Sequence, residues 1–334
     1  MMKNKSLNLI DIAREYSDDE KARVLIESMR WAGGRKCPHC QNEKTYELQG
    51  KPGSANPVKP GTYKCSACRK KFTVRVGTIF EDSHIPLGKW LMTIFLMCSS
   101  KKAMSANQIH RMVGVTYKSA WFMCHRIRHG MKPDGNEPLL SGIVEIDETY
   151  VGGKPRRGKK YDVFNKPRTG RGTQKAPVVA LVERDGSVRT SVMPRVTAKN
   201  LRAVMKDNID PSAEIHTDEH SSYPLATKGF KAHRSVNHGR GEYSKLHYQY
   251  FGKKREHISI HCNTAESFFA LIKRGIYGTY HQVSKKHLHR YCDEFAFRWN
   301  LRRTPDGNIM TTAIKGFEGK RLKYKTSSDE KPVC

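Results

Sequence analysis

Two tight cysteine pairs, Cys37-Pro38-His39-Cys40 and Cys65-Ser66-Ala67-Cys68, constrain this chain more than any other feature, with 24 residues between them. Each Cys-x-x-Cys suits a knuckle that turns both sulfurs toward one ion, and two knuckles at this separation have the spacing of a four-thiolate zinc site. Lys36, Tyr63-Lys64 and Phe72-Thr73-Val74 read as short strands around them. Residues 35–84 are therefore expected to be a zinc ribbon, too small to fold without structural Zn2+. A redox Cys-x-x-Cys or plain buried cysteines are the alternatives, and His39 and His84 read as bystanders. Residues 1–34 are expected to be a helical segment. Met1-Met2-Lys3-Asn4-Lys5-Ser6 is followed by Asp11, Arg14 and Glu15, not by the apolar core of a secretory signal. The longest apolar run, residues 91–98, is less than half a membrane span. The expected location is cytoplasmic, where thiols stay reduced and paired cysteines serve metal.

The chain has 334 residues, with 61 Lys+Arg against 32 Asp+Glu and a net charge of +29. A charge of this sign and size draws polyanions over long range and releases counterions when it meets phosphates. Nucleic acid is the expected partner, and most small-metabolite enzymes are set aside. From 85 to 134 the pattern is helical, with Trp90, Ile94 and Met97 on one stripe. Ser105 and Thr116 suit N-caps, and Val113-Gly114-Val115 makes the short turn of a helix-turn-helix-like DNA-binding unit. Its second helix, residues 117–129, carries Lys118, Arg126 and Arg128 and is expected to lie in a major groove; an ordinary helical connector is the alternative. Residues 152–176 hold nine Lys/Arg, among them Lys154, Arg156, Arg157, Lys159 and Lys160, and one acid, Asp162. This reads as a phosphate-binding arm that orders on DNA, or else as a solvated charge run. Residues 243–255 add a second basic, aromatic stretch with Tyr248 and Tyr250 as stacking surfaces.

Strand patterns at 143–149, 176–184 and 187–194, the last two joined through Asp185-Gly186, precede a helix at 197–209, a strand at 213–218, a second helix and a strand at 233–237. That order is that of an RNase H-like mixed α/β sheet, expected over residues 140–303. Acids are scarce, so their placement informs. Asp147 and Asp218 end apolar strands, and Glu266 lies in a helix over residues 263–273. Carboxylates converging on divalent metal ions suit phosphoryl transfer, and Mg2+ fits such oxygen donors best. Lys273 follows Glu266 by two helical turns and shares its face. Glu266 has a second reading, as the acid of a capping box begun by Asn263. Strand alternation puts Glu145 on the face of Asp147 and Glu148 on the other, so Glu145 is the rival acid. Glu219 points away from Asp218 if that strand continues.

These residues carry a resemblance. The ribbon, the helix-turn-helix, Val144-Glu145-Ile146-Asp147-Glu148-Thr149-Tyr150-Val151-Gly152-Gly153-Lys154, His216-Thr217-Asp218, Asn263-Thr264-Ala265-Glu266-Ser267-Phe268-Phe269 and Lys273-Arg274-Gly275 are similar to the ISXO-type insertion-sequence transposases. So are Tyr277-Gly278-Thr279-Tyr280-His281 and residues 290–300, and the match spans roughly residues 18–303. The resemblance implies a DDE transposase of insertion-sequence type, acting in a bacterial cell on chromosomal DNA. It implies binding of terminal inverted repeats, cleavage at the element ends and joining of 3′-hydroxyls to target DNA with Mg2+ or Mn2+. Carried over, Asp147, Asp218 and Glu266 become the metal triad, with Lys273 as the accompanying basic residue and Arg274 on DNA. Some members use Asn as the third residue, so Asn263 stays a competitor. Double-stranded DNA is the expected partner and at least a homodimer the expected assembly; a non-catalytic DNA-binding protein and a plain metal-dependent nuclease are the alternatives. Of the rest, Leu288, Tyr291, Phe295 and Trp299 read as a core or dimer stripe, Asp293 and Glu294 as helix-surface acids. Cys98, Cys124, Cys262 and Cys292 read as buried small hydrophobes, and 304–334 as a basic tail ending at Cys334.

Overall fold

Caps written into the sequence set the first elements. Asn8 and Asp11 form a reciprocal capping box on α1 (Leu9–Glu15), and Asp18 accepts from the amides of Glu20 and Lys21 to start α2 (Asp19–Arg30). The computed structural model describes residues 7–50, 53, 57–153, 173–251 and 254–323. Among these residues it divides into two compact units, one running to Lys132 and completed by residues 301–323, the other Pro133–Asn300.

In the first unit, β1 (Thr45–Glu47), β2 (Tyr63–Cys65) and β3 (Lys71–Phe72) form an antiparallel sheet in that order. The apolar run becomes α3 (Leu87–Ser99), buried along most of its length. A Cβ on Gly88 would stand 2.4 Å from the Tyr16 carbonyl oxygen, so the close approach of the α1 end to α3 requires glycine. Ser105 and Thr116 cap α4 (Ala106–Val113) and α5 (Tyr117–Gly130), and Gly114 between them takes the left-handed conformation, φ 65°. Among the described residues, the expected modules at 1–34 and 35–84 and the expected 85–134 module as far as Lys132 thus fall in one unit. The expected C-terminal tail is different again. Residues Asp306–Lys315 form a helix whose Ile309, Met310 and Ile314 are buried, with Phe317 following, because the helix packs on α2 and α3.

In the second unit the mixed sheet has the order β6-β5-β4-β7-β8. Its strands are β4 (Ile143–Val151), β5 (Ala176–Glu183), β6 (Val188–Val192), β7 (Glu214–Thr217) and β8 (Ala232–Ser235). β4, β5 and β6 pair antiparallel, while β7 and β8 run parallel to β4, as the sequence predicts for an RNase H-like core. Val144, Ile146, Val179, Leu181 and Ile215 face α6 (Ala198–Asn208) and α7 (Tyr223–Ala226) in one apolar cluster with Leu201, Met205 and Tyr223. The alternate residues of β4 face the side covered by α8 (Asn263–Gly275), and α9 (Leu288–Asn300) packs on β6. Between β8 and α8, residues 243–255 fall largely in an antiparallel hairpin, β9 (Lys245–Phe251) and β10 (Lys254–Ile260). On it Leu246 and Tyr248 are exposed.

On α9, Leu288, Tyr291 and Phe295 are buried as expected of a core stripe, but Glu294 is not a surface acid. It is fully buried, paired with Arg298 and accepting from the Tyr280 hydroxyl at 3.0 Å. No helix among the described residues is long and apolar enough to cross a membrane.

Candidate functional site

Strand alternation and a parallel register bring the acids of the second unit together. Glu145 of β4 stands opposite His216 of β7, so Asp147 and Asp218, each two residues further, extend the same face. Asp147 is half-buried, and its carboxyl is pushed up to about 7, chiefly by burial and then, against the amide of Glu148, by the charges of Glu148, Asp218 and Glu266. Asp218 is held at the strand end by the His220 amide, which donates to its carboxylate at 2.9 Å. Glu266, on the first turn of α8, keeps 49% of its side chain exposed and lies 4.0 Å from His238 Nδ1. Burial raises the Cys262 thiol too, with the charges of Asp147, Glu145, Asp218 and Glu266 adding to it. Asp147 on β4 thus feels the charges of Asp218 at the end of β7 and of Glu266 on α8.

The neighbouring acids are engaged elsewhere. Glu145 is fully buried, and its carboxylate accepts from the amides of Thr264 at 2.8 Å and Ala265 at 3.2 Å. Glu148, on the opposite face, accepts the Tyr223 hydroxyl at 2.7 Å. Glu219 accepts the amides of His238 and Gly239. The capping-box reading of α8 is corrected. Cys262 is the N-cap without a side-chain cap bond, Asn263 is the first helical residue, and Glu145 rather than Glu266 serves the first-turn amides. Sequence reasoning missed Arg184, His220, Tyr223 and His261 around this site. Alternation marked Glu145 as facing inward, but nothing local marked a partner from residue 261 or 264.

In the first unit the ribbon cysteines form a compact set. Their four sulfurs all lie within 4.8 Å of one another, and among the described residues no other group of three or more Cys, His, Asp or Glu side chains is that tight. Cys37 and Cys68 are 3.6 Å apart, as are Cys40 and Cys65. The two knuckles match: Gln41 and Arg69, each directly after a pair, both have φ 61°, and their amides donate to the carbonyls of Cys37 and Cys65. Amides of Cys68 and Ala67 hold the Cys65 thiol down at about 7, while burial pushes Cys37 up to about 11. Four convergent sulfurs fit a tetrahedral zinc ion, and the exposed His39 stands outside the set.

The other named residues separate by exposure. Lys118, Lys273, Arg274 and Asn263 are exposed. Arg126 and Arg128 are not groove-facing: both are buried, and Arg126 Nη1 donates to the carbonyls of Ile79 at 2.7 Å and Glu81 at 2.6 Å. The second half of α5 is buried from Met123 through Arg128, and Arg126 ties it to the segment around Ile79 and Glu81. Lys154, Arg156, Arg157, Lys159 and Lys160 lie outside the described residues, as does Cys334.

Two family models match the chain. Residues 139–300 match the ISXO2-like transposase domain and residues 17–71 the transposase zinc-ribbon domain. A relative from Halobacterium salinarum, described as an uncharacterized protein in transposable element ISH50, is 28% identical over 312 residues, covering 90% of this chain and 98% of its own. No solved structure matches.

Proposed function

From a chain that belongs to the ISXO2-like insertion-sequence transposases, we propose an active DDE enzyme that binds the terminal inverted repeats of its element, cleaves at the ends and joins the freed 3′-hydroxyls to target DNA. The observation that carries this reading is the placement of Asp147 on β4, Asp218 just past the end of β7 and Glu266 on the first turn of α8, close enough that the charges of Asp218 and Glu266 add, after burial and Glu148, to the rise of the Asp147 carboxyl.

Asp147, Asp218 and Glu266 would hold Mg2+ or Mn2+. Their donor set fits: oxygen ligands suit a hard cation, and a positive ion relieves their mutual repulsion. When bound, a pair of such ions supplies Lewis acidity at the attacking and leaving oxygens of an in-line displacement. The chain's own residues do the rest. Asp147 on β4 and Asp218 just past the end of the adjacent β7 fix one edge of the site, while Glu266 approaches from α8 with much of its side chain open to substrate. Lys273 and Arg274, exposed further along that helix, neutralise phosphates beside the cut. The ribbon and the α4–α5 pair read the element ends, with Lys118 on a phosphate, and the lysines and arginines of the sequence 152–176 add positive charge for phosphates. Two ends must be paired for concerted joining, so the active form is at least a dimer.

The test is cleavage and strand transfer on labelled DNA carrying the element ends with Mg2+ or Mn2+. Wild type should cut and join. Asp147→Asn, Asp218→Asn and Glu266→Gln should bind the ends, retain zinc and do neither, while Asn263→Ala remains active. Loss only in Asn263→Ala moves the third role there. Cutting without joining makes the protein a nuclease, and binding without either makes it a non-catalytic DNA-binding protein.

A further inference from the structure

Helix α8 carries Glu266 on its first turn, yet its N-cap, Cys262, offers no side-chain acceptor to the free amides that begin every helix. Glu145 fills that place from the neighbouring strand. Its Oε2 accepts from the amides of Thr264 and Ala265, and its Oε1 accepts the Thr264 hydroxyl at 3.0 Å. The same Oε1 accepts from Arg184 Nη2 at 2.9 Å and stands 3.1 Å from His261 Nδ1. Arg184 in turn donates to the Ser259 carbonyl at 2.8 Å, gripping the segment that leads into α8, and lies 3.4 Å from His216 Nδ1. Both oxygens of Glu145 are thus engaged in binding protein, unlike an acid kept for metal.

Resting on the reading of Asp147, Asp218 and Glu266 as the metal triad, we propose that Glu145 is a positioning residue, a buried clamp that fixes the first turn of α8 and so sets where Glu266 stands relative to the two aspartates. Glu145 pairs with His216 across β4 and β7, and two residues further along come Asp147, still on β4, and Asp218, just past the end of β7. One strand therefore holds a triad member directly and a second through the helix it anchors. The interaction is charge-assisted and aligned with the helix dipole, which makes it a firm tether for a helix that otherwise enters uncapped.

The test uses full-length Glu145→Gln, Thr264→Val and Thr264→Ser. Hydrogen exchange over residues 261–275 and Mn2+ titration followed by electron paramagnetic resonance are read without DNA, and the metal dependence of strand transfer is read separately. Glu145→Gln should exchange faster in the first turn of α8 and bind Mn2+ about 10–100-fold more weakly, the size typical of lost outer-shell support. Its strand-transfer defect should shrink at saturating metal. Thr264→Val should shift both DNA-free readouts in the same direction, and Thr264→Ser should restore them. Should Glu145→Gln not fold, the Val/Ser pair carries the test. Wild-type exchange and Mn2+ affinity in Glu145→Gln, or Val and Ser variants that behave alike, would overturn the clamp. A wild type that binds Mn2+ but neither cuts nor joins removes the transposase reading and leaves the clamp standing on its DNA-free readouts. An active wild type with an unaltered Glu145→Gln removes the clamp alone.

Discussion

Asp147 holds a proton in the native state over a range where the unfolded chain has already lost it. Its folded value of about 7 stands above the ~3.9 of a free aspartate, so between these values the native state binds more protons than the unfolded state. Stability of the metal-free protein therefore falls as pH rises through this window and levels off above 7. Asp147→Asn removes the titration. Without divalent ions it should gain on wild type as pH rises from about 4 to about 7 and hold that gain above, with about 4 kcal/mol as the ceiling at ~1.4 kcal/mol per unit. Denaturant unfolding at several pH values checks it, and a difference constant with pH contradicts the origin assigned to the shift. Much of this environment was legible beforehand: alternation alone put Glu145 and Asp147 on one face and Glu148 on the other. What separates Glu145 from Asp147 was not, because it depends on Thr264, Ala265, Arg184 and His261. Three of these partners come from more than a hundred residues away, and no local pattern reports such a contact.

At the scale of elements, caps and turns were the most legible feature. Ser105, Thr116 and Thr197 all accept the amides expected of N-caps, since a cap involves only residues a few positions apart. The helix at Asp306–Lys315 was hidden, because its reason to form is an apolar face that meets α2 and α3 from the far end of the chain. The ribbon is the element most dependent on something other than its own residues. Its strands have three, three and two residues, and its core is Cys37, Tyr63, Cys65 and Phe72 with Trp31 packed at the edge. Binding of structural zinc supplies about 10–16 kcal/mol in small zinc modules at neutral pH, far more than such a core. One zinc per chain is expected, and a strong chelator or Cys65→Ser should unfold the ribbon. Trp31, edge-on to Tyr63 at 5.2 Å and Phe72 at 6.3 Å, should then redden its emission. A stoichiometric zinc assay read with fluorescence tests this, and an unchanged spectrum after complete zinc removal contradicts the dependence.

At the scale of the whole molecule, the late segment 301–323 belongs to the same unit as residues 7–132 among the described residues. Phe317 is 1% exposed, stacks edge-on to Phe80 at 5.7 Å and lies where a Cβ on Gly130 would meet its ring at 2.3 Å. Arg30 Nη2 donates to Glu318 at 2.8 Å, and Lys320 Nζ to the Gly130 carbonyl at 3.0 Å. The segment that composition suggested was a tail is thus a plug for the unit that contains the ribbon and the α4–α5 pair. Phe317→Ala should cost that unit about 3–5 kcal/mol, the range for losing a buried phenyl group. Because the ribbon shares the unit, zinc should be released at a lower temperature and binding to element-end DNA should weaken. The carboxylate site lies in the other unit, so DNA-free Mn2+ binding should stay at the wild-type level. Thermal unfolding with a zinc indicator, paired with Mn2+ titration, separates the two effects. Equal loss of both would mean that the plug stabilises the entire chain, and loss of neither would mean that the unit closes without it.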